Sequence, residues 1–235
     1  MFIQQALKTY KNIEIIFENN EFIIINKPHG MVVIEGRNRD DDIVLYDALR
    51  AKYEKLYLIH RLDAPVGGIM VLAKTKNFCA KLTKQFEQHR VTKKYLCFCD
   101  GILDSPLTLM LPISKRNYRG KYKINFISGK KSITTFYPVG KVLDKSIVIA
   151  SPITGRTHQI RLHLKSLGVP IMCDYLYNKN YKKPLINNII KIPLFAFYLE
   201  FGDFTFRVRP SEYFLSFIYQ YKMEHIIDQF YEKIS

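Results

Sequence analysis

The feature that most constrains this chain is its succession of short, apolar, β-rich runs, each cut off by turn-forming or charged residues. Ile13 to Phe17 and Phe22 to Asn26, split by Glu18-Asn-Asn-Glu21, read as a β-hairpin. Lys27-Pro-His-Gly30 ends the second run, because Pro28 lacks a ladder N–H and Gly30 favours a turn. A strand-like Leu56-Tyr-Leu-Ile59 follows, and further strands are expected at Gly68–Leu72, Lys94–Asp100, Ser132–Val139, Ser146–Pro152 and His158–Leu164. Apolar residues recur at helical spacing from Ile43 to Glu54, and helices are also expected at Asn77–Gln88 and from Ser211 to Lys233. Asp40, Asp41 and Asp42 precede the first helix and read as its start, capping free N–H groups and complementing the dipole, in preference to a metal site. Ser211, just after Arg209-Pro210, is a natural N-cap for the last. Strands in runs with a few interleaved helices predict an α+β fold with a largely antiparallel sheet, and one domain over residues 1–235.

Composition narrows the partner. A hydrophobic fraction of 48%, with 16 Phe and 16 Tyr, supplies a sizeable core and excludes general disorder. Lys and Arg number 36 against 21 Asp and Glu, a net charge of +15. Such a surplus favours a polyanion, usually nucleic acid, although solubility alone also explains a basic surface. Cys97 and Cys99 form a C-x-C inside an apolar run, so on a strand both thiols face one side as small buried groups. With Cys79 and Cys173 they make no pair at zinc spacing, so no metal is expected and free thiols suit a reducing compartment. The first eight residues are too polar for a secretory signal, and no stretch reaches the roughly 18 to 20 apolar residues of a membrane span. A soluble cytoplasmic monomer is the expectation.

Three segments carry the polar residues of interest. In His60-Arg61-Leu62-Asp63, followed by Ala-Pro-Val-Gly67-Gly68, a carboxylate stands on a turn between two apolar strands. On local pattern alone, a surface Arg61–Asp63 pair is the simpler reading. In Gly155-Arg156-Thr-His158-Gln159-Ile-Arg161-Leu-His163, strand alternation puts Gln159, Arg161 and His163 on one face. That is either a half-solvated strand or a grip for phosphate or carboxylate. In Lys93-Lys94-Tyr95, cations precede an aromatic ring, the minimum for holding an RNA base and its phosphate, or an ordinary sheet tyrosine. The basic stretch from Lys115 to Lys123, with Lys130 and Lys131 beyond it, is a candidate phosphate contact or a solvated loop.

Together these segments resemble the RluA-type family of pseudouridine synthases. The matching elements are Asn26-Lys-Pro-His-Gly30, His60-Arg-Leu-Asp63 followed by Gly68, Lys93-Lys-Tyr95, Gly155-Arg-Thr-His-Gln-Ile-Arg161, Leu167-Gly-Val-Pro-Ile171 and Asp174-Tyr-Leu-Tyr177. They span residues 14 to 177, in the family's order; residues 178–235 are less firmly matched and end in a helix. The resemblance implies a short form without an S4-like domain. Its catalytic domain would be a bent, mostly antiparallel mixed sheet flanked by helices, with an RNA-binding cleft across it. It also implies uridine-to-pseudouridine isomerisation in ribosomal or transfer RNA, with no cofactor and no metal. Asp63 falls on the catalytic carboxylate, Tyr95 on the active-site aromatic and Arg161 on the ionic partner of Asp63. His60, Arg61, Arg156, His158, Gln159, Lys93 and Lys94 would shape the site and grip RNA. A non-catalytic RNA-binding module on the same scaffold is the alternative, and binding alone does not need a carboxylate beside phosphates. A hydrolase with a His60–Asp63 pair is a third reading, against which stands the lack of a G-x-S-x-G, H-E-x-x-H or P-loop motif.

Two departures stand out. Many relatives carry Ser where Gly67 stands, and a His-Ala strand lead with a His-Pro turn where this chain has Ile192-Pro-Leu-Phe-Ala-Phe-Tyr-Leu199 and Arg209-Pro210.

Overall fold

The computed structural model describes residues 13–34, 44–115, 121–182 and 190–234. The hairpin forms as the alternation predicts: β1 (Glu14–Glu18) pairs antiparallel with β2 (Phe22–Lys27), and Asn19 Oδ1 accepts the turn N–H groups of Glu21 and Phe22. β3 (Tyr57–Leu58) and β4 (Gly67–Ala73) follow, then β5 (Thr92–Asp100), β6 (Leu107–Met110), β9 (Ile133–Val142) and β10 (Lys145–Pro152). β11 (Leu194–Phe201) and β12 (Phe204–Arg207) complete the sheet, whose order is β1-β2-β4-β11-β5-β10-β9-β6, with β12 on β11 and β3 on β4. Only β4 and β11 run parallel; the other pairs among the described residues are antiparallel. A separate small hairpin joins β7 (Ile113–Lys115) to β8 (Tyr122–Ile124).

Alternation along the central strands sorts the core into two faces. Ile23, Ile25, Met70, Leu72, Cys97, Cys99, Leu194 and Ala196 pack on one side with α1 (Leu45–Arg50) and α3 (Gln159–Ser166). On the other side Leu96, Phe98, Phe195 and Phe197 meet α4 (Glu212–Gln220) and α5 (Glu224–Ile234), while Phe22, Ile24, Ile69 and Val71 meet α2 (Lys76–Glu87). Strands buried on both faces read as continuous apolar runs, which is why FIII, GGIMVLA and LFAF are so uniformly hydrophobic. Cys97 and Cys99 are buried, free and on one face, as their spacing requires. The fold is a single α+β domain around a large, mostly antiparallel mixed sheet.

Three expectations need correction or limits. Residues 158–164 are not a strand: α3 runs Gln159–Ser166. Ile160, Leu162 and Leu164 alternate, but Ile160, Leu164 and Leu167 also lie four and three apart, and this helical stripe packs on the core. The second period wins because His158 takes a left-handed conformation (φ 57°) that turns the chain out of its extended path and starts the helix. The C-terminal helix is two helices, broken between Gln220 and Glu224, where Lys222 is left-handed (φ 55°) and Met223 turns into the core. Ser211 caps α4 as expected, accepting from the Phe214 N–H. α1 is shorter than its periodicity suggests, and Asp40 to Asp42 lie outside the described residues. So do Arg116 to Gly120 of the basic stretch and the polar N-terminal residues.

Candidate active site

Asp63 sits on the loop that connects β3 to β4, and three features hold that loop. The Val66 N–H donates to Asp63 O at 3.0 Å and closes a turn over Pro65. The buried Lys27 ammonium donates to the carbonyls of Pro28, Met31 and Ala64, with Ala64 at 3.2 Å, and so ties the end of β2 to the loop. Burial draws the Lys27 pKa down to about 7, against the nearby Asp63 carboxylate, which raises it. At the loop's exit Gly68 is left-handed (φ 116°), and a Cβ there would stand 2.2 Å from the Ala196 carbonyl oxygen. Only glycine lets β4 run this close beside β11. Gly67 is constrained differently: the His29 ring fills the space a side chain would take, 2.4 Å from an ideal Cβ.

Arg161 rises from the first turn of α3 and is 3% exposed. Its Nε and Nη2 donate to the two carboxylate oxygens of Asp174, at 2.7 and 2.8 Å, a bidentate pair sealed from solvent. The remaining arm, Nη1, donates to Asp63 Oδ2 at 3.0 Å. Asp174 is 1% exposed, whereas the Asp63 side chain keeps 24% of its surface open to the cleft. One carboxylate therefore aims the guanidinium and the guanidinium aims the other. Among the described residues the hydrogen bond to the Asp63 carboxylate falls on Oδ2, and none reaches Oδ1. Although burial opposes it, the two carboxylates hold the Arg161 pKa above its ordinary value. The Tyr177 ring lies 5.1 Å from the guanidinium carbon.

The left-handed backbone of His158 swings its ring beside this pair. Nδ1 is 2.7 Å from the Tyr177 hydroxyl and Nε2 is 3.6 Å from Asp63 Oδ2, too far for a hydrogen bond. Burial and the Arg161 charge lower the His158 pKa to about 4, so the ring is neutral near pH 7. Tyr122 of β8 meets the ring edge-on at 5.2 Å and donates its N–H to the Tyr177 hydroxyl.

Asp63, His158 and Arg161 line a cleft of about 770 Å³ that also includes His60, Arg61, Lys93, Tyr95, Arg156 and Gln159. Nine of the ten residues singled out from sequence thus converge; Lys94 does not. Alternation along β5 sends Lys93 and Tyr95 to the cleft and Lys94 to the opposite face, over the Tyr198 ring at 4.8 Å. Tyr95 packs on the core beside the cleft, and burial raises the pKa of its phenol, which stays protonated. Burial lowers Lys93 to about 8.

Two of the nine are structural in their visible contacts. His60 stacks on Phe86 at 4.9 Å, and its Nε2 accepts the Val71 N–H at 3.2 Å, which requires the neutral ring that burial favours by drawing its pKa to about 3. Gln159 spends its whole amide on protein: Oε1 accepts from Thr154 Oγ1 and the Arg156 N–H, and Nε2 donates to Ile133 O and Thr134 Oγ1. Arg61 and Arg156 are exposed on the rim, Arg156 donating through Nε to Lys131 O.

Sequence reasoning gives no role to Lys27, His29, Asp174 or Tyr177, although all four lie in the matched motifs. Asp174 and Lys27 are charged residues in apolar surroundings, which is the signal that flags them. No helix among the described residues is long and apolar enough to cross a membrane, and no cluster of three or more His, Cys, Asp or Glu among them is placed to hold a metal.

A family profile described as RNA pseudouridylate synthase matches residues 21–166, which contain Asp63, Tyr95 and Arg161. The Ribosomal large subunit pseudouridine synthase C of Buchnera aphidicola subsp. Baizongia pistaciae is 36% identical over 168 residues, covering 69% of this chain and 53% of that protein. The chain thus spans about half the length of that curated relative. The Dual-specificity RNA pseudouridine synthase RluA of Vibrio vulnificus is 33% identical over 177 residues, 70% of this chain and 68% of its own length. Human RNA Pseudouridylate Synthase Domain Containing 4 shares the fold, with a TM-score of 0.78 over 93% of this chain and 97% of the human chain at 23% identity. With the fold, the matched motifs and these relatives in agreement, the chain belongs to the RNA pseudouridylate synthase family, in its RluA-type branch.

Proposed function

We propose that this protein isomerises uridine to pseudouridine in structured ribosomal or transfer RNA, with Asp63 as the catalytic carboxylate. The observation that carries this reading is the Asp174–Arg161–Asp63 chain, which anchors Oδ2 of Asp63 while its partly exposed side chain lines a cleft that also carries Arg61, Lys93 and Arg156. The reaction breaks the N1–C1′ bond, turns the uracil and joins C1′ to C5; the C5 proton leaves and N1 gains one. Attack on the sugar, attack on the base and removal of a sugar proton all need Asp63 ionised. RNA filling the cleft strips water from a carboxylate and brings negative charge beside it, and the Arg161 guanidinium offsets both with an opposite charge. The target base must leave its stack, at a cost of a few kcal/mol. Stacking on the Tyr95 ring recovers part of this, roughly 1–3 kcal/mol. The neutral Tyr95 phenol relays the C5 proton, accepting it as its own passes to solvent water in the cleft. Arg61, Arg156 and Lys93 hold phosphates at the rim and wall.

Pseudouridine mapping on total RNA from cells with and without the gene tests this. A site lost on deletion, restored by wild type and not by Asp63→Asn, is the expected result. No lost site, with no turnover by pure protein on ribosomal or transfer RNA, would leave a non-catalytic RNA-binding module.

A further inference from the structure

The turn after β8 exposes two large apolar side chains side by side: Phe126 is 76% and Ile127 99% exposed. The turn that presents them is built to be stiff. Asn125 Oδ1 accepts the N–H groups of Ile127 and Ser128, and Nδ2 donates to Ser114 Oγ and Ser128 Oγ. The Asn125 N–H donates to Pro112 O, and the Gly129 N–H returns to Asn125 O. A Cβ on Gly129 would lie 2.2 Å from that same oxygen, so the turn closes only with glycine there. Six hydrogen bonds converge on one asparagine to hold out a phenylalanine and an isoleucine that bury little.

Each leg of this turn touches a residue that lines the cleft. The outgoing leg leaves Tyr122, whose ring touches His158. The returning leg, Lys130-Lys131, meets the cleft rim where Arg156 donates to Lys131 O. Phe126 lies four positions after Tyr122, so their Cα atoms are at most about 14 Å apart. From Lys121 to Lys131 the chain carries Lys121, Lys123, Lys130 and Lys131 and no acidic residue.

We propose that this turn is an RNA wedge: Phe126, backed by Ile127, stacks on an unpaired or unstacked base of the strand leaving the cleft, while the flanking lysines neutralise its phosphates. An aromatic ring among cations is the combination that single-stranded RNA recognises, and an apolar wedge at a base step is how an unstacked conformation is held. The lysines exclude a basic-faced occupant, and the turn stands beside a cleft read as taking RNA, which favours RNA over an acidic protein. This inference rests on the RNA reading of the cleft and names a second contact for the same substrate.

The chain contains no tryptophan, so Phe126→Trp places a single indole at the tip. Purified ribosomal and transfer RNA fractions are the probes, with heparin as a polyanion that has no bases. The expected result is quenching of the indole by RNA and not by heparin. Phe126→Ala should weaken RNA binding about 5- to 150-fold at fixed salt, the span of one lost base stack. The salt slope should stay unchanged, whereas Lys123→Ala should reduce it by about 0.7–0.9. RNA binding with neither quenching nor loss of affinity in Phe126→Ala overturns the wedge. So does an emission change that depends on protein concentration without RNA, which assigns the tip to a second copy of the chain. Wild-type pseudouridine formation is measured alongside: turnover without quenching sinks the wedge alone, and quenching without turnover sinks the enzymatic reading alone.

Discussion

The two faces of the central sheet are built from the same strands and do opposite things. Across β5, Tyr95 faces the cleft while Leu96 and Phe98, on the other side, face α4 and α5. The helix face is mainly a layer of rings, with Phe98 against Phe217 and Phe197 against Phe230, and its charges, the Lys145–Asp100 pair and Lys94 over Tyr198, stand toward the strand ends. The cleft face carries Lys27, Asp174 and Arg161, all at most 3% exposed and each held by hydrogen bonds to protein. Apolar packing there would be at least as stable, since exchanging buried ion pairs for hydrophobic residues is often neutral or stabilising. The difference teaches that the helix face supplies stability and the cleft face gives some up to hold one carboxylate in place.

The comparison breaks if the faces respond alike to substitution. Arg161→Met should show the largest effect, on both counts. Two carboxylates lose their partner, one of them buried, for about 3–5 kcal/mol of stability by denaturant titration. Turnover should also fall by about 10²–10³ or more as the aim of Asp63 is lost. Phe214→Ala should cost a similar 3–5 kcal/mol, roughly, yet leave kcat/KM within about threefold at temperatures where the variant is folded. If both variants lost stability and activity in proportion, the faces would not be separable.

Two further measurements sharpen it. Tyr95→Phe keeps the ring and removes the hydroxyl, so RNA affinity should hold while turnover drops on the order of 10²-fold. Unchanged turnover would leave Tyr95 a stacking platform only. The histidines give a pH signature. Burial lowers His29 and His158 to about 4 and His60 to about 3, so the folded rings are neutral while unfolded ones titrate near 6.5. The unfolded chain therefore binds more protons below pH 6.5. Stability contributed by these rings is complete above that value and is lost as pH falls toward 4 and 3. His60→Gln should flatten this slope by about 2–3 kcal/mol between pH 6.5 and 4, measured by melting temperature across pH.

Much of this is legible in the sequence, for identifiable reasons. The first hairpin, β4, β5, β9, β10 and α2 follow from period and punctuation, because each buries at least one face against a regular neighbour. Leu194–Phe201 is an apolar run like β4 but has Ile192-Pro193 before it instead of a Gly turn, and it is not among the expected strands, yet it lies at the centre of the sheet. The segment 158–164 carries both periods at once, and only the left-handed turn at His158 decides between them. In the site, motifs are enough to single out Asp63, Tyr95 and Arg161. They do not single out Asp174, because nothing local shows that a carboxylate thirteen residues downstream of Arg161 will meet its side chain. Proximity in sequence to Lys93 and Tyr95 suggests a place in the site for Lys94, and strand alternation puts it on the other side.

The central claim is that Asp63, aimed by Arg161, does the chemistry. The most direct test incubates pure wild type and Asp63→Asn with ribosomal and transfer RNA from cells lacking the gene. Pseudouridine is quantified by mass spectrometry, and the melting temperature of each protein is measured alongside. The amide oxygen introduced by Asp63→Asn can still accept from Arg161, so the two proteins should melt within a few degrees of each other, while only the wild type forms pseudouridine. An Asp63→Asn protein that works at the wild-type rate would contradict the assignment.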